Sequence, residues 1–399
     1  MASRSTHHGR AAPSLSRSAG GGWTSLVASY LPRDRSRKVT TLRLSSLVRG
    51  LSSLVCFLLV LTSTPAQAQR LPGHQRAGAS WLVGQLSSDH LMHGIYNGAD
   101  SGADIGLSID TVFALAPFPV HAATVDDLGS AIESGYWTSY IQYSGVFYAN
   151  STAKALVAAR VLRRPGNDFG GHSLRRKLMS MVAPSGRVRD TDWKTATDYS
   201  NTLGQALAVI GLARSGGAPQ RAVDFLAGQQ CRSGGFALTE SSHHPCARAG
   251  VRASVDATGL AVQALVAARR HGAAVPQNSI LHAIRWLRSV QKRNGGFAQG
   301  GGAARPNTNS TGLAAAAFAA TGRDRALRRA ARFVASMQMT ASTAGNAVAD
   351  AGAIAYNASA FNAAVTGGVT VQTRDQFRRA TAQAMLALTG RHLDVLHRR

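Results

Sequence analysis

The sequence predicts an all-α protein, a closed ring of about six helical hairpins in which a buried inner helix follows each amphipathic outer one. Three observations lead there. Two stretches 61 residues apart, AVDFLAGQQCRSGGF (222–236) and AIRWLRSVQKRNGGF (283–297), share an aromatic–Leu pair, then Gln230 or Gln291, then Gly-Gly-Phe at one fixed distance. Each stretch leads into a helix of small apolar residues that opens on an Asx residue, Asp256-Ala-Thr-Gly-Leu-Ala or Asn309-Ser-Thr-Gly-Leu-Ala. Fainter copies of the same pairing fill the rest of the chain.

The first element is an export signal. Leu51–Leu61 (LSSLVCFLLVL) is an apolar core preceded by Arg43 and Arg49 and followed by Ala66-Gln67-Ala68. Thr62, Ser63, Thr64 and Pro65 end it well short of the ~20 apolar residues a membrane span needs. Residues 39–68 are therefore expected to be a signal peptide cleaved after Ala68, residues 1–38 a disordered or over-called leader, and residues 69–399 one secreted domain with no integral membrane span.

The first hairpin is expected from Trp81-Leu82-Val83-Gly84-Gln85 and an inner segment opening at Asp110, and the second from Leu128–Tyr143 and Asn150. Leu174–Ala183 with Asn201 makes the third, and the two repeated stretches lead to Asp256 and Asn309 as the fourth and fifth. Phe333–Gln338 opens the sixth, whose inner helix is placed at Arg374–Leu388 after a Gly/Ala/Asn-rich excursion. An Asx side chain accepts a hydrogen bond from a free first-turn amide, so Asp110, Asn150, Asn201, Asp256 and Asn309 are all expected to be N-caps. Inner helices apolar nearly all round belong in the core, while outer ones such as Arg285-Trp286-Leu287-Arg288 keep charge on one face. Six pairs without linkers suit a closed ring, which has no terminal repeat to cap. Only 367–373 reads as strand, so β structure is expected to be minor.

Removing a leader with nine Lys/Arg and one Asp lowers the formal charge from +25 to about +17. This charge could attract anionic polymers, but the basic residues are scattered through Ala-rich helices without an aromatic-interleaved run, so no nucleic-acid partner is expected. Loss of Cys56 with the signal leaves Cys231 and Cys246, which in an oxidising compartment read as a disulfide that would contribute on the order of 3 kcal/mol. The alternative, a Cys/His metal site with His243 and His244, lacks any CxxC or HxxxH pair, and no metal or cofactor is expected.

At Gln230–Phe236 and Gln291–Phe297 the chain resembles the QW motif of squalene and oxidosqualene cyclases, with Phe in place of Trp. The resemblance implies the (α/α)6 toroid of terpenoid cyclases and protein prenyltransferases, whose members differ widely in function. Their chemistries demand residues that are mostly missing here. The cyclases' D-x-D-D acid aligns with Ser254-Val255-Asp256-Ala257, leaving Asp256 as a residual candidate general acid without flanking acids. The prenyltransferase zinc set and the thioester Cys-Gly-Glu-Gln are absent. Asp126-Asp127 lacks the further acid of DDxxD and reads as an acidic pair at a helix N-terminus.

Extracellular (α/α)6 glycoside hydrolases and lyases are a further alternative, but they commonly need two carboxylates across a cleft, and the mature chain has only Glu133 and Glu240 beside its aspartates. An acidic–aromatic cluster, Asp190, Asp192, Trp193, Asp198 and Tyr199, precedes the third inner helix and could hold a sugar. The favoured expectation is a secreted monomer, not an enzyme, that binds a small molecule or cell-envelope component at one mouth of the ring. Its ligand-binding candidates are Asp110, Asn150, Asn201, Asp256, Asn309, Trp193 and Tyr199, gathered where inner-helix N-termini offer free amides.

Overall fold

The structure, a computed structural model, describes residues 72–399 except 193, 195–196, 242–245, 247–249 and 301–303. The leader, the signal peptide with its cleavage site, Trp193, His243 and His244 lie outside the described residues. The rest is the toroid that the repeat implies. Outer helices are α1 (Pro72–Val83), α3 (Ala122–Ser139), α5 (Leu174–Ser180), α7 (Gln220–Gly228), α9 (Ser279–Val290) and α11 (Asp324–Ser336). Inner helices are α2 (Ile105–Leu115), α4 (Ala149–Val161), α6 (Thr202–Ala213), α8 (Val255–Arg270), α10 (Thr308–Ala320) and α13 (Val371–Thr389). The Gly/Ala/Asn-rich excursion carries one extra helix, α12 (Ala358–Gly367).

Each inner helix touches the next, α2 to α4, α6, α8, α10 and α13, and α13 returns to α2. The ring is closed. The outer helices pack behind, and α1 completes the circle against α13. Among the described residues the strands form three two-stranded antiparallel hairpins, β1 (His93–Tyr96) with β2 (Ala99–Ala103), β3 (Gln142–Tyr143) with β4 (Val146–Phe147), and β5 (Phe236–Ala237) with β6 (Ala253–Ser254). Residues 367–373, expected as strand, instead end α12 and begin α13, because Thr370 and Thr373 form a reciprocal capping box that starts the last helix there.

The inner wall is tight because its residues are small. All of α6 is buried, and Gly204, Gly259 and Gly312 lie where a side chain would meet the neighbouring helix. A Cβ at Gly259 would come within 2.8 Å of the Leu313 carbonyl, and one at Gly312 within 2.4 Å of the Gln383 carbonyl. Phe236, Phe297, Phe318 and Phe377 fill the space between inner and outer layers, each burial contributing about 1.5–3 kcal/mol.

The repeated Gln and Gly-Gly-Phe now have a mechanical meaning. Gln230 Nε2 donates to the Gly234 carbonyl inside its own loop (2.7 Å) and to Ser279 in the next outer helix (2.8 Å). Gln291 does the same with Gly295 and Ala326, both at 3.0 Å. Gly295 has φ 92°, and a Cβ there would sit 2.1 Å from the Arg329 carbonyl, so the loop leans directly on α11. The Phe amide then donates into the following inner helix, Phe236 to Thr258 Oγ1 (2.8 Å) and Phe297 to Thr311 Oγ1 (3.0 Å).

Two further copies escape the sequence pattern. Gln338 Nε2 donates to Gly352 (2.9 Å) and to His74 (3.0 Å), joining the last outer helix to the first. In the third unit the amide comes from the inner helix instead, Gln205 donating to Gly186 (3.0 Å) and Ala222 (2.9 Å).

The disulfide Cys231–Cys246 is formed, with Cα atoms 5.7 Å apart, and staples the loop between α7 and α8.

Since Gln338 is buried, Gln338→Leu should remove three hydrogen bonds, two donated by its amide and one between Oε1 and the His74 ring, leave the Gly352 carbonyl without its donor and destabilise the protein by about 2–4 kcal/mol. Urea unfolding checks this. Leu at the exposed Gln372 is the control and should cost less than about 0.5 kcal/mol.

Candidate functional site

Parallel inner helices give the ring two chemically different ends. At the C-terminal end the chain closes its own mouth. Residues 391–399, whose order the sequence did not reveal, fold across the ends of α4, α6 and α8 and bury Leu393 and Leu396. Arg214 donates to the Leu393 carbonyl (2.5 Å) and the Leu396 carbonyl (2.7 Å), and the Leu393 amide donates to Gln263 Oε1 (3.1 Å). Asp394 pairs with Arg270 at 2.5 Å and with His271 at 3.2 Å. Arg398 pairs with Asp126, which sits in the second turn of α3 and not at its N-terminus. Burial lowers the His392 pKa to about 4, so this plug stays neutral at that ring.

The N-terminal mouth remains, and the candidate residues behave differently there. Asn201 is an N-cap, its Oδ1 accepting from Leu203 (3.0 Å) and Gly204 (3.3 Å). The other four expected caps are not. Asp104, not Asp110, caps α2 by accepting from Leu107 at 2.8 Å. Ser254 caps α8 and Asn307 caps α10, each two residues ahead of the expected Asp256 and Asn309. Tyr148 precedes α4 without a side-chain cap. Short polar residues crowd every inner-helix start, and the nearer one with extended backbone takes the cap.

Displaced from capping, these side chains are left with unspent capacity. Asp256, Asn150 and Asn309 each keep an Oδ1 buried without a hydrogen-bond partner among the described residues. Asn150 Nδ2 donates to the Tyr199 carbonyl at 3.1 Å. Burial raises the Asp256 pKa to about 6, which makes it a weaker acid than an ordinary aspartate and ill suited to protonating an alkene. Asp110 lies mid-helix in a buried ion pair with Lys154 (2.7 Å), which also donates to Gly106, while Gln383 of α13 donates to the carboxylate at 3.2 Å. It ties three inner helices together.

The acidic–aromatic cluster gains members that the sequence did not connect. Asp190 spends both oxygens on backbone amides, of Ala149 (2.7 Å) and Tyr199 (2.8 Å). Arg187 bridges two acids, donating to Glu240 at 2.7 Å and pairing with Asp198 at 3.1 Å. Burial outweighs that attraction and raises the Glu240 pKa to about 7, with Oε1 unpartnered among the described residues. Asp192 turns the loop with φ 61°.

Tyr199 is exposed, as are Tyr96 and Tyr143. All three sit on segments leading into inner-helix N-termini, those of α6, α2 and α4. Among the described residues no group of His, Cys, Asp or Glu is placed to hold a metal ion, and no helix is long and apolar enough to cross a membrane.

No protein-family model and no curated protein matches the chain. Solved structures match its fold. A D-mannose isomerase aligns with TM-score 0.56 at 11% identity over 82% of this chain and 99% of its own. An inactive variant of an α-1,6-mannanase of Salegentibacter sp., in complex with α-1,6-mannotriose, aligns at 0.52 and 11% over 79% and 99%. The type II terpene cyclase MstE of Scytonema aligns at 0.53 and 14% over 80% and 97%. These likenesses define the class, an (α/α)6 toroid.

Because Glu240 titrates near 7 when folded and near 4.5 when unfolded, the native state holds the extra proton between those values. Stability should therefore fall as pH rises from about 4.5 to 7, by at most on the order of 3 kcal/mol. Thermal melts of wild type and Glu240→Gln across this range check it, the variant losing that part of the slope.

Proposed function

We propose that this protein is a secreted, monomeric, non-catalytic toroid that binds a cell-envelope glycan at the mouth formed by its inner-helix N-termini. The asymmetry of the ring carries the reading. One end is closed by residues 391–399, whereas the other gathers three exposed tyrosines. Sugar rings offer what such a surface lacks, apolar C–H faces that stack on tyrosine rings.

The lack of flanking acids at Ser254, Val255 and Ala257, together with the raised pKa of Asp256, argues against the cyclase acid. The disulfide fits an oxidising compartment. That a mannanase with bound mannotriose and a mannose isomerase share the fold is supporting analogy.

Calorimetry with α-1,6-mannotriose and a panel of neutral envelope polysaccharides tests the reading. Binding should weaken about three- to tenfold in Tyr199→Ala and again in Tyr143→Ala. Absence of binding across the panel, or affinity unchanged in both variants, overturns it.

One observation favours a second reading, a carbohydrate-active enzyme. Glu240, half protonated near pH 7, and Asp198 share the Arg187 guanidinium, so two carboxyl groups in unlike environments lie side by side. If the mouth cleaves the glycan it binds, Glu240→Gln abolishes reducing-end release while binding persists. Wild type that releases no reducing ends from any bound glycan sinks this alternative.

A further inference from the structure

A second feature, independent of the mouth, lies on the outer wall. Between α9 and α11 runs an open cavity of about 550 Å³ lined by Arg285, Arg288, Arg323, Arg325 and Arg329 against a single acid, Asp324. Four of these arginines, Arg285, Arg288, Arg323 and Arg325, are exposed and have no ion-pair or hydrogen-bond partner among the described residues. Arg329 is half-buried and held by its donation to the Lys292 carbonyl at 2.7 Å. Five guanidiniums converging on one space repel each other, so the arrangement gains from a multivalent anion and little from water alone.

The local backbone points the same way. The first residue of α11 follows Gly322 and Arg323, and no side chain caps the helix, so the first-turn amides open toward the groove with their partial positive charge. The remaining lining is Ser289, Gln291 and Ala326 with Gly322, and it contains no aromatic side chain.

We propose that this groove binds a linear, non-nucleotide phosphate polymer, a polyphosphate or phosphodiester chain whose successive phosphates each engage an arginine fork. The planar five-donor guanidinium matches phosphate oxygens bidentately, which lysine would not. The volume admits several phosphate groups, and an open groove lets a chain pass through without presenting its end. Single-stranded nucleic acid is the poorer fit, because its affinity draws on base stacking and the groove supplies no ring to stack on.

The test uses the full-length secreted product and two probes, sodium tripolyphosphate by calorimetry and fluorescently labelled long-chain polyphosphate by anisotropy, at about 50 and 200 mM salt. Arg288→Gln combined with Arg325→Gln should weaken polyphosphate binding by about tenfold or more and flatten the salt dependence by about two counterions. Arg76→Gln combined with Arg221→Gln removes the same charge from exposed sites on α1 and α7 and should leave affinity within about twofold. Melting temperatures of both pairs establish that the fold is kept. Equal losses in the two double variants mean attraction to net charge alone and overturn the site. Absence of binding overturns it too, as does tighter binding of single-stranded DNA through the same two arginines.

Discussion

The carboxamide of Gln338 is the closure on which the ring depends. A chain of helical hairpins could equally spiral open, and nothing in helix propensity selects a circle. The circle closes where α13 packs on α2 and α1 on α13, and the join is tied by a side chain that donates at once to the loop of its own unit and to the first outer helix, His74, across 264 residues of chain. Both acceptors are backbone carbonyls in a largely dry setting, where an unmade bond costs more than a made one contributes. Gln230 and Gln291 repeat the device between successive units, so the same two-acceptor geometry sets both the step from hairpin to hairpin and the join of last to first.

From that step the inner wall follows. Six inner helices drawn to a fixed spacing must be thin, which is why Ala and Gly dominate them and why Gly259 and Gly312 face neighbouring carbonyls. A wall this tight favours polar groups in the core that pair across it. Asp110, Lys154 and Gln383 do so across three helices. Chemistry is thereby pushed toward the ends and the outer surface. Because all six inner helices run the same way, one end presents carbonyls, which Arg214 and the folded C-terminal residues satisfy, and the other presents amides and the loops that feed them.

The sequence made the hairpin count legible, because an amphipathic outer helix followed by a largely buried inner one survives even where the motif decays. The QW-like element was legible in only two units since both keep Gln four residues before the first Gly. In the sixth unit Gly352 lies 14 residues after Gln338, and in the third the glutamine has moved to α6, so identical bonds come from unlike spacings. The caps were misread for a local reason: Asp104, Ser254 and Asn307 precede residues equally able to cap, and only backbone dihedrals decide between neighbours. Glu240 looked isolated because Arg187, which joins it to Asp198, is 53 residues away. The arginine groove was hidden in charge that looked scattered, since α9 and α11 align their basic faces only once folded.

Separation of charge follows from the same architecture. Arginines at the outer helices extend into solvent on flexible stems, which costs the core nothing, whereas the mouth is lined by Asx, Ser and Tyr residues that must sit close to helix starts. The polar mouth and the cationic wall can therefore change independently, because neither shares a side chain with the other. The glutamine bridges hold both in register. Gln291 lines the groove while its amide ties α9 to α11, so the spacing of the arginines is set by the same bond that propagates the ring. Loss of that bond would loosen the groove without touching a single positive charge.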